Sequence, residues 1–568
     1  MKLYHHLAAL AVITLAPAIA CAQPQQHESP PEPPTLPRTL APRPTTAAIT
    51  QQDLMSRLYQ FADDSMQGRD TGSPGFVKAT DYIARELERL GLQPAGDDGT
   101  YFQRVPLARR TIDPATSLTV GGQSLVLGKD FAPVNGRGVP RAFDGALAIY
   151  GGEFGAPAGI TAEQAAGKVV VYALPDGGLT AVPRLRATDA AASAAAVFLV
   201  GLERVSPAIR ERLSAPSVGL PAASQPASAA TPFFVLVSRD AAGRLLGADW
   251  TSLKPGTTGI MAKGEIVLAE EELPARNVVA VLPGSDPVLK HQYVAIGAHS
   301  DHVGMNGTPV DHDSLRAYNR AAWVKQGAYA GLPALTAAQR ASIKVNVDSL
   351  RALRPARLDS IYNGADDDGS GSMGVLEIAE AMAAMPRAPK RSVLFVWHAG
   401  EERGLLGSRY AADNLPVPRD SVVAQLNIDM IGRGSTPADT RGGQPGYVSL
   451  VGSRRLSTQL GDVVEEVNAK STEPLYFDYG LDADGHPENI YCRSDHYNYA
   501  RWGVPVVFFF TGLHGDYHQV TDEPQYIDYP HYARITRFIN ALTLRLANDA
   551  ERPVVDRAKP DPNGACRQ

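Results

Sequence analysis

The chain has 568 residues, 44% hydrophobic and 20% charged, a balance that suits a soluble globular protein of two or more domains. Its formal net charge of −6 gives no support to nucleic-acid binding, which would need a concentrated basic patch.

In chain order, Lys2 precedes the apolar stretch LAALAVITLAPAIA, too short and too early to span a membrane. Small residues follow at Ala18, Ala20 and Ala22, so residues 1–22 read as a secretory signal peptide. The AIAC stretch ending at Cys21 loosely resembles a bacterial lipoprotein cleavage site, with Ala18 where Leu or Val is usual. Lipid attachment at Cys21 and plain cleavage both stay open. The expectation is an exported protein with no transmembrane span: periplasmic, anchored to the outer membrane as a lipoprotein, or secreted.

Residues 23–47 are proline-rich and nearly free of large apolar side chains, which predicts an extended spacer. Residues 48–125 then read as the first part of a globular domain. In it TDYIARELERLGLQ spaces Tyr82, Ile83, Leu87 and Leu90 as a helix that ends at Gly91. Residues 126–262 alternate short β-like runs (GALAIYG, KVVVYALP, AAVFLVG, PFFVLVS) with Gly, Pro and Ala-rich turns, predicting a small separate domain set into the chain. From 263 to 548 continuous apolar runs recur: NVVAVLPG, YVAIGAH, RSVLFVWHAG, VVAQLNIDM and PVVFFFTG. Such runs, separated by helical segments, suit a sheet buried on both faces. The helix candidates are TAAQRASIKVNVDSLRAL and YARITRFINALTLRLAND. The fold class is therefore α/β: a mixed, mostly parallel sheet flanked by helices, with a small β-rich insertion. Residues 549–568 read as a polar tail. Cys492 and Cys566 either pair or stay free, and sequence does not place them within bonding distance.

The apolar runs end in residues that packing alone would not select. They lead into His299-Ser300-Asp301, Glu401-Glu402, Asp429 and, through a short loop, His514-Gly515-Asp516-Tyr517-His518, while GADDDGSG opens a helix. Ligands of open α/β sheets bind beyond the carboxyl ends of strands, where all of these fall. Imidazole mixed with carboxylate and no thiolate favours zinc. The set His299, Asp367, Glu402, Asp429 and His518 carries three negative charges, which two divalent ions and one hydroxide neutralise. Five ligands fit two three-ligand sites if one carboxylate is shared, the hydrolytic arrangement with ions about 3.5–4 Å apart.

A calcium loop is the rival for GADDDGSG, since Asp366, Asp368, Ser370, Gly371 and Glu377 match EF-hand positions. The residues before it, RPARLDSIYNGA, lack the required incoming helix, and no second loop exists. HExxH, GxSxG and Walker A motifs are absent.

With GAHSDH, NGADDDGSG, GEERGLLGS, NIDMIG and DYHQVTD in order, the chain resembles the co-catalytic di-zinc exopeptidases of the bacterial leucyl aminopeptidase and aminopeptidase Y family, related to glutamate carboxypeptidase. Residues 126–262 resemble the protease-associated domain that many of these enzymes carry. The resemblance implies two Zn2+ per chain, one held by His299 and Asp429 and one by Glu402 and His518, with Asp367 bridging. It also implies Glu401 as general base and acid, acting with a hydroxide between the ions, and Asp301 bonding the non-metal nitrogen of His299. Asp495, Tyr497 and His514 are expected to line the substrate pocket. Between His299 and Asp367 lie 67 residues, more than simple family members have. The excess, 304–361, reads either as a lid or as a surface helical hairpin.

The expected activity is an exported zinc aminopeptidase acting on peptide or protein substrates. A carboxypeptidase or dipeptidase would need a cation for the substrate carboxylate, from Arg433, Arg493 or an insertion arginine. A non-catalytic binding protein on the same fold is the third reading.

Overall fold

The computed structural model describes residues 36–134, 142–156, 159–175, 190–221, 232–326, 335–440 and 442–568. The expected signal peptide, Cys21 and half of the spacer lie outside these residues. Five strands carry the main sheet: β1 (Arg276–Leu282), β2 (Tyr293–His299), β3 (Ser392–His398), β4 (Val422–Ile428) and β5 (Val506–Phe510). Their spatial order is β1-β3-β2-β4-β5, and β3, β2, β4 and β5 run parallel. The NVVAVLPG run forms β1, which is antiparallel to β3, and Tyr447–Val451 is antiparallel to β5. The sheet is therefore mixed, with a parallel centre and antiparallel flanks.

Its apolar continuity has a direct cause. Every residue of β3, β4 and β5 is buried, because helices cover the sheet and both faces meet protein. Four helices matter for the site: α1 (Gln51–Phe61), α2 (His312–Gln326), α3 (Gly371–Ala383) and α4 (Tyr529–Asn548). Helix α3 packs on β2, β3 and β4, and α1 and α4 pack on α3. The TDYIARELERLGLQ segment belongs to the helix Pro74–Arg89, and Gly91 follows it at φ 73°. TAAQRASIKVNVDSLRAL does not form one helix. It splits into Ala337–Ala341 and Val347–Leu353, because the Asn346 side chain accepts the Ser349 N–H and starts a new helix there.

A separate eight-stranded sheet spans Ser117 to Glu265 and includes all four β-like runs read from the middle region, so its ends lie outside 126–262. Alternate residues of Val169–Ala173 feed two different apolar clusters, one on each face. The chain enters and leaves this unit through Leu107–Ile112 and Leu268–Leu273, which pair antiparallel along their whole length.

Cys492 and Cys566 form a disulfide with Cα atoms 5.8 Å apart. The final residues are pinned rather than loose: the Gln568 amide donates to Leu481 O and Ala483 O and accepts the Tyr491 N–H. Among the described residues no helix is long and apolar enough to cross a membrane.

Candidate metal centre

The parallel strands deliver their carboxyl ends to one edge. His299 closes β2, Glu401 and Glu402 follow β3 across Gly400 (φ 65°), Asp429 follows β4, and His518 sits on the loop after β5. Asp367 arrives from the turn before α3, where the Asp367–Asp368 peptide bond is cis. The start of α3 comes so close to β4 that a side chain at Gly371 would lie 2.4 Å from Ile428 O. Only glycine allows that approach.

These residues form two clusters that share Asp367. One holds His299, Asp367 and Asp429, and the other His302, Asp367, Glu402 and His518, each with ligand atoms within 4.8 Å of one another. The two Asp367 oxygens divide between them. Oδ1 lies 3.3 Å from His299 Nε2, and Oδ2 lies 3.0 Å from His518 Nε2. His299 Nε2 is 3.7 Å from Asp429 Oδ1, and His518 Nε2 is 2.9 Å from Glu402 Oε2. His299 Nε2, His518 Nε2 and Asp367 Oδ2 are nonetheless buried without a hydrogen bond of acceptable geometry. Unpaired lone-pair donors converging on two points fit a cation at each point, and the imidazole–carboxylate set fits zinc.

The protein's own charges show the same demand. Burial opposes ionisation, yet the nearby His299 and His518 rings hold the Asp367 carboxyl well below the ordinary range. Burial also works against the His518 cation, but Asp367 and Glu402 outweigh it and hold the ring up to about 10. Protons and a metal ion would compete for the same atoms. Glu401 is different: desolvation pushes its carboxyl well above the ordinary range, against the pull of His299 and with the push of Glu402 and Asp429. A carboxyl so placed favours accepting and holding a proton.

The surrounding shell fixes the ligands. Ser494 Oγ donates to Asp429 Oδ2 at 2.7 Å and in turn accepts from Asn427 Nδ2 at 2.9 Å. Asp301 lies beneath His299, but the 3.1 Å contact to His299 Nδ1 comes from its backbone carbonyl, and its carboxylate stands 3.8 Å away. That carboxylate accepts the Glu401 N–H at 3.1 Å and the Thr71 hydroxyl at 2.8 Å instead. Burial pushes the Asp301 carboxyl up to about 6.

The three adjacent aspartates are not equivalent. Asp368 accepts backbone N–H groups from His299, Gly371 and Met430, while Asp366 accepts from Gly432 and Ser370. Glu377, the last position of the calcium-loop reading, is turned away and bound to Arg57 at 2.8 Å. No calcium cage forms. Two buried arginines offset the acidic charge from below. Arg69 donates to the carbonyls of Ser300, Asn363 and Gly364, and Arg433 faces Asp516 and Asp522 at 3.3 and 3.5 Å.

The three residues expected to line the pocket are buried. Asp495 is fully buried, 3.2 Å from His398 Nδ1. Tyr497 packs in the apolar cluster with Tyr491, and His514 is buried with Nε2 3.1 Å from Asp366 Oδ2. Asp495 and His514 thus each face a partner inside the protein.

Sequence reasoning passed over His302, whose Nδ1 lies 2.8 Å from Glu402 Oε1. Its place three residues after His299 in GAHSDH was the available signal. It also passed over Tyr517, whose ring stacks on His518 at 3.9 Å.

Residues 277–543 match the family described as "Peptidase family M28". Among curated relatives, "Leupeptin-inactivating enzyme 1" of Streptomyces exfoliatus is 30% identical over 173 residues, 30% of this chain and 34% of that protein. "Aminopeptidase" of Pseudomonas aeruginosa (strain UCBPP-PA14) is 31% identical over 166 residues, 28% of each chain. "Probable leucine aminopeptidase" of Arthroderma otae is 43% identical over 156 residues, 27% of this chain and 38% of that one. The chain thus covers about a third of the length of the curated relatives it matches. The solved "Aminopeptidase from Aneurinibacillus sp. strain AM-1" is 16% identical with a TM-score of 0.47, covering 90% of this chain and 99% of that one, too loose a likeness to place any side chain.

Proposed function

Proceeding from the match of residues 277–543 to peptidase family M28, we propose that the chain is an exported zinc aminopeptidase that removes N-terminal residues from peptides. The carrying observation is the division of the two Asp367 oxygens between the His299 cluster and the His518 cluster. A single carboxylate placed this way would serve two cations, one through each oxygen.

His299, Asp367 and Asp429 would hold one zinc, and Asp367, Glu402 and His518 the other, with His302 bonded to Glu402 Oε1. Two zinc ions supply an acidified water and polarisation of the scissile carbonyl. Glu401 is the general base: it takes a proton during attack and returns one to the leaving amine. The Glu401 N–H bond to Asp301 fixes the backbone from which that carboxyl projects.

Charge pairing supports the aminopeptidase over a carboxypeptidase or dipeptidase. Arg433 faces Asp516 and Asp522, Arg493 faces Glu488 at 2.7 Å, and Arg357 faces Glu523 at 2.6 Å. These three candidate receptors for a substrate carboxylate already meet an acid. The disulfide supports export to an oxidising compartment. The eight-stranded unit is read as the protease-associated-like module.

The test is hydrolysis of aminoacyl-nitroanilides and matched N-blocked peptides, with and without chelator. Cleavage of free-amine substrates only, abolished by chelation and restored by zinc, is expected. Activity that survives chelation, or that prefers blocked N-termini, sinks the proposal.

A further inference from the structure

His518 has a backbone φ of 54°, in the left-handed region that a non-glycine residue occupies at a cost of about 1–2 kcal/mol. A residue held there persists only when its surroundings over-determine it. Arg433 of the peptidase body meets this loop from one side, and the 304–361 insertion meets it from outside. In its described part, Met305–Asp311 pairs antiparallel with Leu358–Ile361, and α2 leaves the first of these strands.

The insertion touches the His518 loop on both sides. Before His518, the backbone of α2 covers Gly515 so closely that an added side-chain carbon would meet Asn319 O at 3.2 Å and Trp323 Cβ at 3.4 Å. After His518, Glu523 accepts from Arg357 at 2.6 Å and lies 2.9 Å from His312 Nε2, both from the insertion. The Trp323 indole N–H donates to Asp439 O at 2.9 Å, tying the far end of α2 to a second loop of the peptidase body. His312, Asp359 and Glu523 also have the composition of a metal cluster. Arg357, however, lies 2.6 Å from Glu523 Oε2 and 3.4 Å from Asp359 Oδ2, so a guanidinium already supplies the cation there. The cluster is a fastening.

We propose that the 304–361 insertion is an external clamp on the His518 loop, with Arg357 and Trp323 as positioning residues that keep His518 in its metal-ready conformation. The inference rests on the di-metal reading of the centre. It assigns the insertion neither to a lid nor to a free surface hairpin.

The test titrates the zinc-loaded full chain with chelator and follows release of each ion, alongside kcat and KM. For Arg357→Ala and Trp323→Ala, one of the two ions should be released at about tenfold lower chelator, the scale expected for loss of supporting contacts to a ligand. The second ion, held by His299 and Asp429, should be released as in the wild type. The value of kcat should fall while KM changes less than about twofold, and Arg357→Lys should restore part of the loss. If an alanine variant fails to fold, Trp323→Phe removes the indole donor while keeping an aromatic ring and is read the same way. Release of both ions as in the wild type, or parallel weakening of both, overturns the clamp. A wild-type chain that binds no zinc overturns the di-metal reading instead.

Discussion

At the residue scale, the two neighbouring glutamates after β3 divide the labour. Glu402 turns to His302 and His518, while Glu401 keeps an uncommitted carboxyl that desolvation holds up. Glu401→Gln is therefore expected to retain both zinc ions and lose about 10²–10⁴ in kcat, the usual contribution of a general base. Metal analysis with steady-state kinetics checks this, and near-normal turnover refutes the base assignment. Because Asp367 serves both clusters, Asp367→Ala should empty both metal positions, whereas His299→Ala should empty one. Zinc stoichiometry after dialysis separates these outcomes, and an Asp367→Ala chain with two ions is incompatible with a bridge. A third residue gives a pH signature. His496 is fully buried, its ring stacked 4.7 Å from Phe508, and burial pulls its pKa to about 3. Protonation thus favours the unfolded chain. Stability from this group is complete above pH 6.5 and lost as pH falls from there toward 3. His496→Phe should gain relative to wild type across that window, by at most about 1.4 kcal/mol per pH unit; parallel acid curves would rule it out. The five proposed ligands were legible because His299, Glu402 and Asp429 end or follow apolar strand runs, Asp367 precedes a helix, and His518 lies in the loop after β5. Arg69 and Ser494 were not, since each acts through contacts formed only on folding: Arg69 reaches Ser300, 231 positions away.

At the scale of elements, the acidic turn before α3 is held from behind by α1. Arg57, 1% exposed, donates from Nε to Glu377 at 2.8 Å and pairs with Glu86 at 2.9 Å and with Glu380. Arg57→Ala leaves the buried Glu377 carboxylate without its cation, although Arg89 still meets Glu86 and Glu380, and should destabilise the fold by about 3–5 kcal/mol. Denaturant unfolding measures this; a loss under about 1 kcal/mol would show the pair to be screened. Sequence periodicity found β2 through β5 because a strand buried on both faces reads as a continuous apolar run. It did not distinguish the antiparallel β1, whose central residues Asn277–Ala280 are buried as well, because direction is set by the partner strand and not by side-chain pattern. The splitting of TAAQRASIKVNVDSLRAL was hidden for a related reason. Helical spacing continues across Asn346, and only the hydrogen bond of its side chain to Ser349 N–H reveals the boundary.

At the scale of the whole molecule, the Cys492–Cys566 disulfide closes a sequence separation of 74 residues and fastens the C-terminus beside the strand-end loops. In the chain-entropy view its removal costs about 4 kcal/mol. Reduction, or Cys566→Ser, should lower the unfolding midpoint in denaturant; an unchanged midpoint would mean that the Gln568 bonds alone secure the terminus. Sequence left this pairing open because 74 positions of chain carry no distance information.

The antiparallel stem that leads into the eight-stranded unit has a consequence for modularity. Ile112 lies opposite Leu268, and the Asp113 N–H bonds Val267 O at 2.9 Å, so the chain departs and returns at a single point. The unit behaves topologically as a cassette. Joining Asp113 to Val267 through an Asn-Gly turn, which suits a two-residue hairpin, would excise it at the cost of the short Ser217–Gly219 strand beside the stem. Such a shortened chain should still fold, bind zinc and cleave small anilides, leaving the cassette free to be exchanged without redrawing the metal centre.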